Sequence, residues 1–396
     1  IKPATVTVAF NKAIDTTGAP RLTIDVGGTP KILSLATPGA KTNVTSLAFT
    51  YTVAAGDLDT NGLSFAANPL ALNGGSITLT GTSTAALLSF EAQTSMANTM
   101  VDGVAPSAPT ITRVVDDVGV ATGNIATGGS TDDTQPTVRV GLTGTNAVVG
   151  DKVDVLIGPA VLGTVTLVAQ DITNGYVDFT PAVASALVNG TYALAARVVD
   201  AAGNQSSASA THTITVNTAA PAAPVISLVA GNDIINAAEA TSDISGTAEA
   251  NATIALTLGA NVRTATADAQ GAWSYTLTTA DITSMGQGAE TIRATQTNTA
   301  GNTSVARTRD ITIDTVVPSA PVINAVAGDN IINASEAGGT ISGTAEANAS
   351  IALTLGTGNV RNVTANASGA WTYTLVTADI DSIGQGSGKT ISATQT

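Results

Sequence analysis

The chain has no cysteine, one histidine, 3% aromatic residues and 11% charged residues. It also lacks any apolar run of the roughly 18 residues that a membrane-spanning helix needs. Each absence excludes something. Without cysteine there is no disulfide framework of the kind that staples small secreted animal modules, and no thiolate zinc site. The single His212 lies in a Thr-His-Thr run that reads as strand, so neither a Ser-His-Asp or Cys-His arrangement nor a His-based zinc site can be assembled. The Gly-rich stretches lack the strand–loop–helix setting of a phosphate cradle, and no segment reads as a convincing helix. Positive charge is scarce too. Lys and Arg total 15 against 29 Asp and Glu, a net charge of −14. Such a chain repels nucleic acid and anionic lipid and attracts divalent cations. Neither nucleic-acid binding nor membrane insertion is expected.

What is present is repetition. Residues 224–297 return as 321–396. Pro224-Val225-Ile226 recurs as Pro321-Val322-Ile323, Ile234-Ile235-Asn236 as Ile331-Ile332-Asn333, and Ala272-Trp273-Ser274-Tyr275 as Ala370-Trp371-Thr372-Tyr373. A tandem repeat this faithful marks an array, whose function lies in length rather than in one site. Tandem copying also argues against paired carboxylates serving as a glycan-cleaving centre. The chain reads as a non-enzyme.

Three segments carry two prolines three apart: Pro106 and Pro109, Pro221 and Pro224, and Pro318 and Pro321. They read as stiff linkers and divide the chain into domains 1–104, 105–219, 220–316 and 317–396. Apolar residues are 43% of the chain and recur with period two between Gly, Asn and Asp turns. In the third domain seven strands are expected, at 224–228, 243–247, 253–258, 263–267, 272–277, 291–296 and 305–314, with Trp273, Tyr275 and Leu277 inward. The fold expected is all-β, a tandem, elongated array of immunoglobulin-like Greek-key β-sandwich domains. The second domain follows the same plan, with an extra loop at 123–133. The first is β of a divergent type, with alternation at 5–10, 21–26, 47–53 and 76–79. The fourth lacks a counterpart of the last strand. Either it is a window cut from a longer array, or a neighbouring chain donates that strand.

Successive strands of such a sandwich run to opposite poles. The even-numbered turns then meet the preceding linker, and the others the following one. Asp200 and Asn204 fall beside Asp102 of the first linker. Glu249 and Asn298 fall beside Asn217 of the second. Asp233 and Glu239 fall beside Asp314 of the third, and Asp329 and Glu336 repeat that turn in the fourth domain. Calcium takes 6–8 oxygen ligands, which carboxylates, amides and carbonyls can supply. Solvated turn residues are the alternative reading. In the first domain Asp57 and Asp59 open like an EF-hand loop, but its twelfth position is Asn68 rather than Glu, leaving at most a looser calcium loop.

The linker pattern Asp-x-x-x-Pro-x-x-Pro, the run Gly231 to Glu239, Ile244-Ser245-Gly246-Thr247-Ala248-Glu249 and the turn Asp200 to Asn204 resemble bacterial immunoglobulin-like repeats of giant surface adhesins, of the biofilm-associated and RTX types. The resemblance covers residues 101–396. The first domain is similar, more loosely, to another module of such proteins through 50–57 and 70–75. This resemblance implies an extracellular location on the bacterial cell surface and structural calcium (Ca2+) near the junctions. The second joint, where Asn217 and Asn298 stand in place of Asp, is expected to hold it more weakly. The function implied is an extender that projects a distal binding domain for adhesion or biofilm formation. Its partners are neighbouring domains of the same chain, with cell-surface glycan or protein met through regions outside this segment. Two alternatives stay open: a filament or surface-layer subunit joined by strand exchange, and a glycan- or protein-binding first domain presenting Tyr51 and Phe65.

Overall fold

The computed structural model describes residues 3–94, 96 and 98–396. Two compact units are present. One is Ile1–Ala222 with Asn251–Thr253 and Thr297–Ser304. The other is Ala223–Ala250, Ile254–Gln296 and Val305–Thr396. Strands dominate both, as period-two alternation requires when one face of each strand is buried.

In the first unit, Ala4–Thr17, Arg21–Val26, Thr29–Leu35, Lys41–Tyr51, Leu70–Ala71 and Ser76–Leu79 make a six-stranded sheet. Ala4–Thr17 shifts register against Lys41–Tyr51 between Ala9 and Ile14 and pairs with Ser76–Leu79 beyond that point. Such a bulge bends a strand. The core comprises Ile14, Leu22, Ile24, Leu33, Leu47, Phe49 and Leu63 among others. Residues 110–216 form two sheets. Thr110–Asp116, Gly123–Ile125, Thr137–Gly141 and Tyr176–Phe179 make one. Gly129–Thr131, Lys152–Ile157, Ala160–Thr166, Gly190–Val199 and His212–Val216 make the other. Val114, Val138, Val140, Val153, Val155, Leu194 and Ile214 fill the space between. The segment expected to be an extra loop is two short strands, and Gly129–Thr131 pairs in parallel with His212–Val216.

The second unit holds the two repeats. In the earlier one, Val225–Ile226, Asp243–Thr247 and Ala272–Thr276 form a three-stranded sheet. Ile234–Asn236, Arg307–Asp314, Gly288–Thr297, Thr253–Leu258 and Asn261–Thr266 form a five-stranded one. The runs at 243–247 and 253–258 have the expected bounds. Ile234–Asn236 was not anticipated, and it pairs in parallel with Arg307–Asp314. Trp273 and Leu277 are buried between the sheets as expected, while Tyr275 is half-buried. The later repeat has the same three-stranded sheet, at Val322–Ile323, Thr340–Thr344 and Ala370–Thr374. Its other sheet has only Val360–Thr364, Ser350–Leu355 and Ile391–Gln395.

Short helices correct the expectation of none: Ala169–Asn174, Thr279–Met285 and Thr377–Ile383. Each joins two strands and carries Asp at its third position, which binds back to the residue preceding the helix. That capping arrangement satisfies first-turn amides despite poor helix propensity.

Gly246 is a point of close packing within the three-stranded sheet of the earlier repeat. A Cβ there would lie 1.8 Å from the Val225 carbonyl oxygen and 2.9 Å from Trp273 Cζ2. Gly343 repeats this against Val322 and Trp371. Gly246→Ala is therefore expected to destabilise its repeat by about 1–3 kcal/mol through overpacking. Urea unfolding followed by Trp273 fluorescence reads the loss, and an unchanged midpoint would mean that Val225 is not seated there.

Candidate metal centres

The expected set at the first linker does come together. The Asn204 Nδ2 group donates to the Asp102 carbonyl oxygen at 3.1 Å, to Asp102 Oδ1 at 3.5 Å and to Asp200 Oδ2 at 2.8 Å. The Asn204 amide donates to Asp200 Oδ1 at 2.8 Å. Gly203, at φ +93°, supplies the left-handed residue this tight turn needs. Asp151, almost fully buried, braces the turn by accepting from the Ala201 amide at 3.2 Å. Carbonyl, carboxylate and amide oxygens from segments a hundred residues apart thus share one small region.

The second linker repeats the pattern with amides. Asn302 Nδ2 donates to the Asn217 carbonyl at 2.7 Å, and Asn298 Oδ1 accepts from the Asn302 amide at 3.0 Å. The Glu249 backbone amide donates to Gln296 Oε1 at 2.7 Å.

Beside Asn217 lies an acidic group that the sequence reading passed over as loop. The Asn217 amide donates to the Thr131 carbonyl at 2.8 Å. Thr131 Oγ1 donates to Asp116 Oδ2 at 2.5 Å, and Asp132 and Asp133 follow directly. Asp116 and Asp133 are each 3% exposed. Asp133 Oδ1 accepts from the Gln135 amide at 2.7 Å, but Asp133 Oδ2 and Asp132 Oδ1 are buried with no hydrogen-bond partner. Burial, with the Asp116 charge added, pushes the Asp132 carboxyl up. Burial likewise raises Asp133, against which Asp116 and Asp117 also act. The turn at 298–302 closes on this group, since a Cβ on Gly301 would lie 3.3 Å from Asp132 Oδ2. Leaving two carboxylate oxygens desolvated and unpaired is costly unless something cationic meets them. The donor set of Asp116, Asp132 and Asp133 with nearby Asn oxygens is all oxygen and suits a hard divalent cation. Among the described residues, no three acidic or histidine side chains already converge as a closed cage.

Most of the remaining expected ligands have other partners. Both Asp233 oxygens accept from Arg309, at 2.6 Å each. Glu239 and Glu336 cap short 3-10 turns by accepting from the Asn236 and Asn333 amides. Asp314 stands opposite Asn236 in the parallel ladder, near the Glu239 cap, and Asp329 accepts from the Ile331 amide. Asp59 accepts from the amides of Gly27, Asn61 and Gly62. Asp57 accepts from Lys31 Nζ at 2.5 Å and from the Tyr51 hydroxyl. The Lys31 hydrogen bond, then that of Tyr51, lowers the Asp57 carboxyl to about 2. These bonds make 57–62 a structural turn rather than an open calcium loop, and they correct the view of Tyr51 as an exposed platform, since it is 6% exposed. His212 is likewise structural, bonded to Thr127 and to the Ile125 carbonyl.

A second kind of carboxylate site was also missed. Asp281, with no exposed surface, accepts from Arg263 Nε at 2.8 Å, the Tyr275 hydroxyl at 2.8 Å, the Thr278 hydroxyl at 2.6 Å and Asn261 Nδ2 at 3.1 Å. Asp379 repeats this with Arg361, Tyr373 and Asn359. The first domain's Lys31, Asp57 and Tyr51 are the same three-way arrangement, with Tyr six residues before Asp in every case.

A family model described as a bacterial Ig-like domain matches residues 107–218, and one described as a bacterial Ig domain matches residues 220–314. No curated protein matches the chain. Among solved structures, one described as a Ca2+-stabilized adhesin that helps an Antarctic bacterium reach out and bind ice is 21% identical, over 99% of this chain and 92% of that one, with a TM-score of 0.35. A bacterial immunoglobulin-like domain from the M. primoryensis ice-binding adhesin is 31% identical over 24% of this chain and all of that one, with a TM-score of 0.20. A tetra-tandem repeat from the extending region of a large adhesion protein is 19% identical over 99% and 94% of the two chains, with a TM-score of 0.27. With two family models matching end to end, sandwiches of alternating strands and a duplicated second unit, the chain belongs to the tandem bacterial immunoglobulin-like repeat proteins.

Proposed function

We propose that this chain is a non-catalytic extender region of a bacterial surface adhesin, divided as 1–104, 105–219, 220–316 and 317–396, with calcium fixing its joints. The observation that carries the calcium reading is the pair of buried, unpartnered oxygens on Asp132 and Asp133, next to Asn217 and the 298–302 turn. Asp116, Asp132, Asp133, Asn217 and Asn298 would hold the ion at the second joint, and Asp102, Asp200 and Asn204 at the first. A bound cation cancels the repulsion among these carboxylates and ties each linker to turns of the domains it joins. The extracellular and adhesive parts of the reading are supported by the resemblance of the linker and turn motifs.

The test is calcium titration of the whole chain with and without chelator. Calcium is expected to raise stability by about 2.7 kcal/mol at a hundredfold excess over its dissociation constant, and to lengthen the chain in solution scattering. In the variant D132N/D133N, the second-joint share of the response should vanish while the calcium-free melting temperature rises, because two buried charges are gone. The raised Asp132 and Asp133 values fix the sign with pH. Protons and calcium compete for the same oxygens, so affinity falls as pH drops toward those values. Melts and scattering identical with calcium and with chelator would sink the calcium reading.

A further inference from the structure

The basic residues of the chain and its linkers avoid one another. Among the described residues every Lys and Arg except Lys389 lies inside a strand. None occurs at 42–112, 198–262 or 310–360, the spans that hold the three linkers, and no aromatic residue lies in the linkers either. An endoprotease must draw a stretch of extended backbone into its cleft, so a residue held in a ladder is cut only after local unfolding. Exposed segments without such bonds are cut first. Two of these lie in the first unit. Val104 and Ala105 precede Pro106, Ala219 and Ala220 precede Pro221, and all four are exposed. None of the four makes a backbone–backbone hydrogen bond. The Val104 and Ala219 amides donate only to a side chain two residues earlier, Asp102 Oδ1 and Asn217 Oδ1, at 3.0 Å each. Pro109, Pro221 and Pro224 are buried, and the ring constraint of the prolines keeps both segments extended. The irregular stretch 84–93 differs, since Ala86 and Gln93 donate to the carbonyls of Ile77 and Phe65.

We propose that these exposed pairs are proteolytic processing sites for one class of enzyme, an endoprotease whose primary pocket takes a small apolar side chain. The cut falls after Val104 and after Ala219. The next bond of each pair runs into proline, whose ring and missing N–H obstruct a cleft. Hydrolysis breaks the Val104–Ala105 or the Ala219–Ala220 C–N bond, with water giving its oxygen to the new carboxylate and a proton to the new amine. Enzymes selective for Lys, Arg or aromatic residues find none in either linker. The core running from Val8 to Val101 lies wholly before the first cut, and the core from Val114 to Val216 lies wholly between the two. Cleavage therefore separates sandwiches without opening one. Val316 and Val317 precede Pro318 in the third linker in the same pattern.

The experiment incubates the whole chain with elastase or with trypsin, once in calcium and once in chelator, and reads the fragments by mass and N-terminal sequencing. Elastase is expected to give new N-termini at Ala105 and Ala220 in both buffers, at least about tenfold faster than trypsin cuts within any strand. Ala219→Lys should turn the second linker into a trypsin site while the melt stays unchanged. Ala220→Pro should abolish the elastase cut at that linker and leave the one after Val104. First elastase cuts inside strands or within 84–93 would overturn the proposal. So would an Ala219→Lys chain that trypsin leaves whole at that linker. Linker cuts seen in chelator alone would overturn it as well, while leaving the calcium reading in place.

Discussion

Asp281→Ala should destabilise the earlier repeat by about 3–5 kcal/mol, the usual cost of removing one member of a buried ion pair. Arg263, Tyr275, Asn261 and Thr278 all aim hydrogen bonds at this one carboxylate, and its removal strands them together. The carboxylate also fastens the helix Thr279–Met285 to strand Asn261–Thr266, so local structure fails with it. Denaturant unfolding in a Trp371→Phe background isolates the repeat, because Trp273 is then the only tryptophan. A loss below about 1 kcal/mol, the scale of an exposed pair, would mean that the site is solvated. The pH dependence has a definite sign. Burial by itself would raise the Asp281 carboxyl, but the Thr278, Tyr275 and Arg263 hydrogen bonds outweigh it and hold the group well below the usual range. A depressed carboxylate contributes stability above its unfolded value, near pH 4, and loses it as pH falls toward the folded value. The gap between the parent and Asp281→Asn should therefore be full at neutral pH and close in acid below about pH 4. Asp57, lowered to about 2, should give the first domain the same acid limit.

Trp273→Ala should cost a similar amount, about 3–5 kcal/mol, for a different reason. The indole is 3% exposed between the sheets and lies over Gly246, which has no side chain to fill the void. Its Nε1 is buried without a hydrogen-bond partner, as is that of Trp371. Trp273→Phe removes this orphaned donor while keeping most of the apolar volume, so its cost should be clearly smaller than that of alanine. Thermal melts reported by Trp371 and by circular dichroism measure both. Equal losses for Phe and Ala would show that the indole edge, rather than ring volume, supports the sheet pairing.

The sandwich was legible because alternation is a local signal. Thr253 to Leu258 shows it in six residues, and the structure buries Ile254, Leu256 and Leu258 as that pattern demands. Ile234–Asn236 was not legible, because its three residues alternate too briefly and its parallel partner is distant in sequence, with Ile234 opposite Thr312. The helices were hidden by β-branched residues, although Thr278 and Asp281 spell a capping box. The linker cluster of Asp102, Asp200 and Asn204 followed from strand order alone. Asp116, Asp132 and Asp133 did not, because treating 123–133 as loop hid the two short strands beside them. Asp281 and Asp379 did not stand out in the sequence, because the segments that carry them did not read as helices. Only the position of Tyr275 and Tyr373, six residues earlier on a neighbouring strand, hinted that these two are buried.

The short parallel ladders set how each sandwich answers a pull. Ile234, Ile235 and Asn236 face Thr312, Ile313 and Asp314, as Gly129, Ser130 and Thr131 face Ile214, Thr215 and Val216. One strand of each pair lies near the start of its sandwich, and the other ends it. Tension on the chain drags these partners past one another lengthwise, in shear, so the bonds of a ladder are loaded together instead of opening one at a time. Three residues of pairing thus act as a mechanical clasp across the whole length of sequence between them.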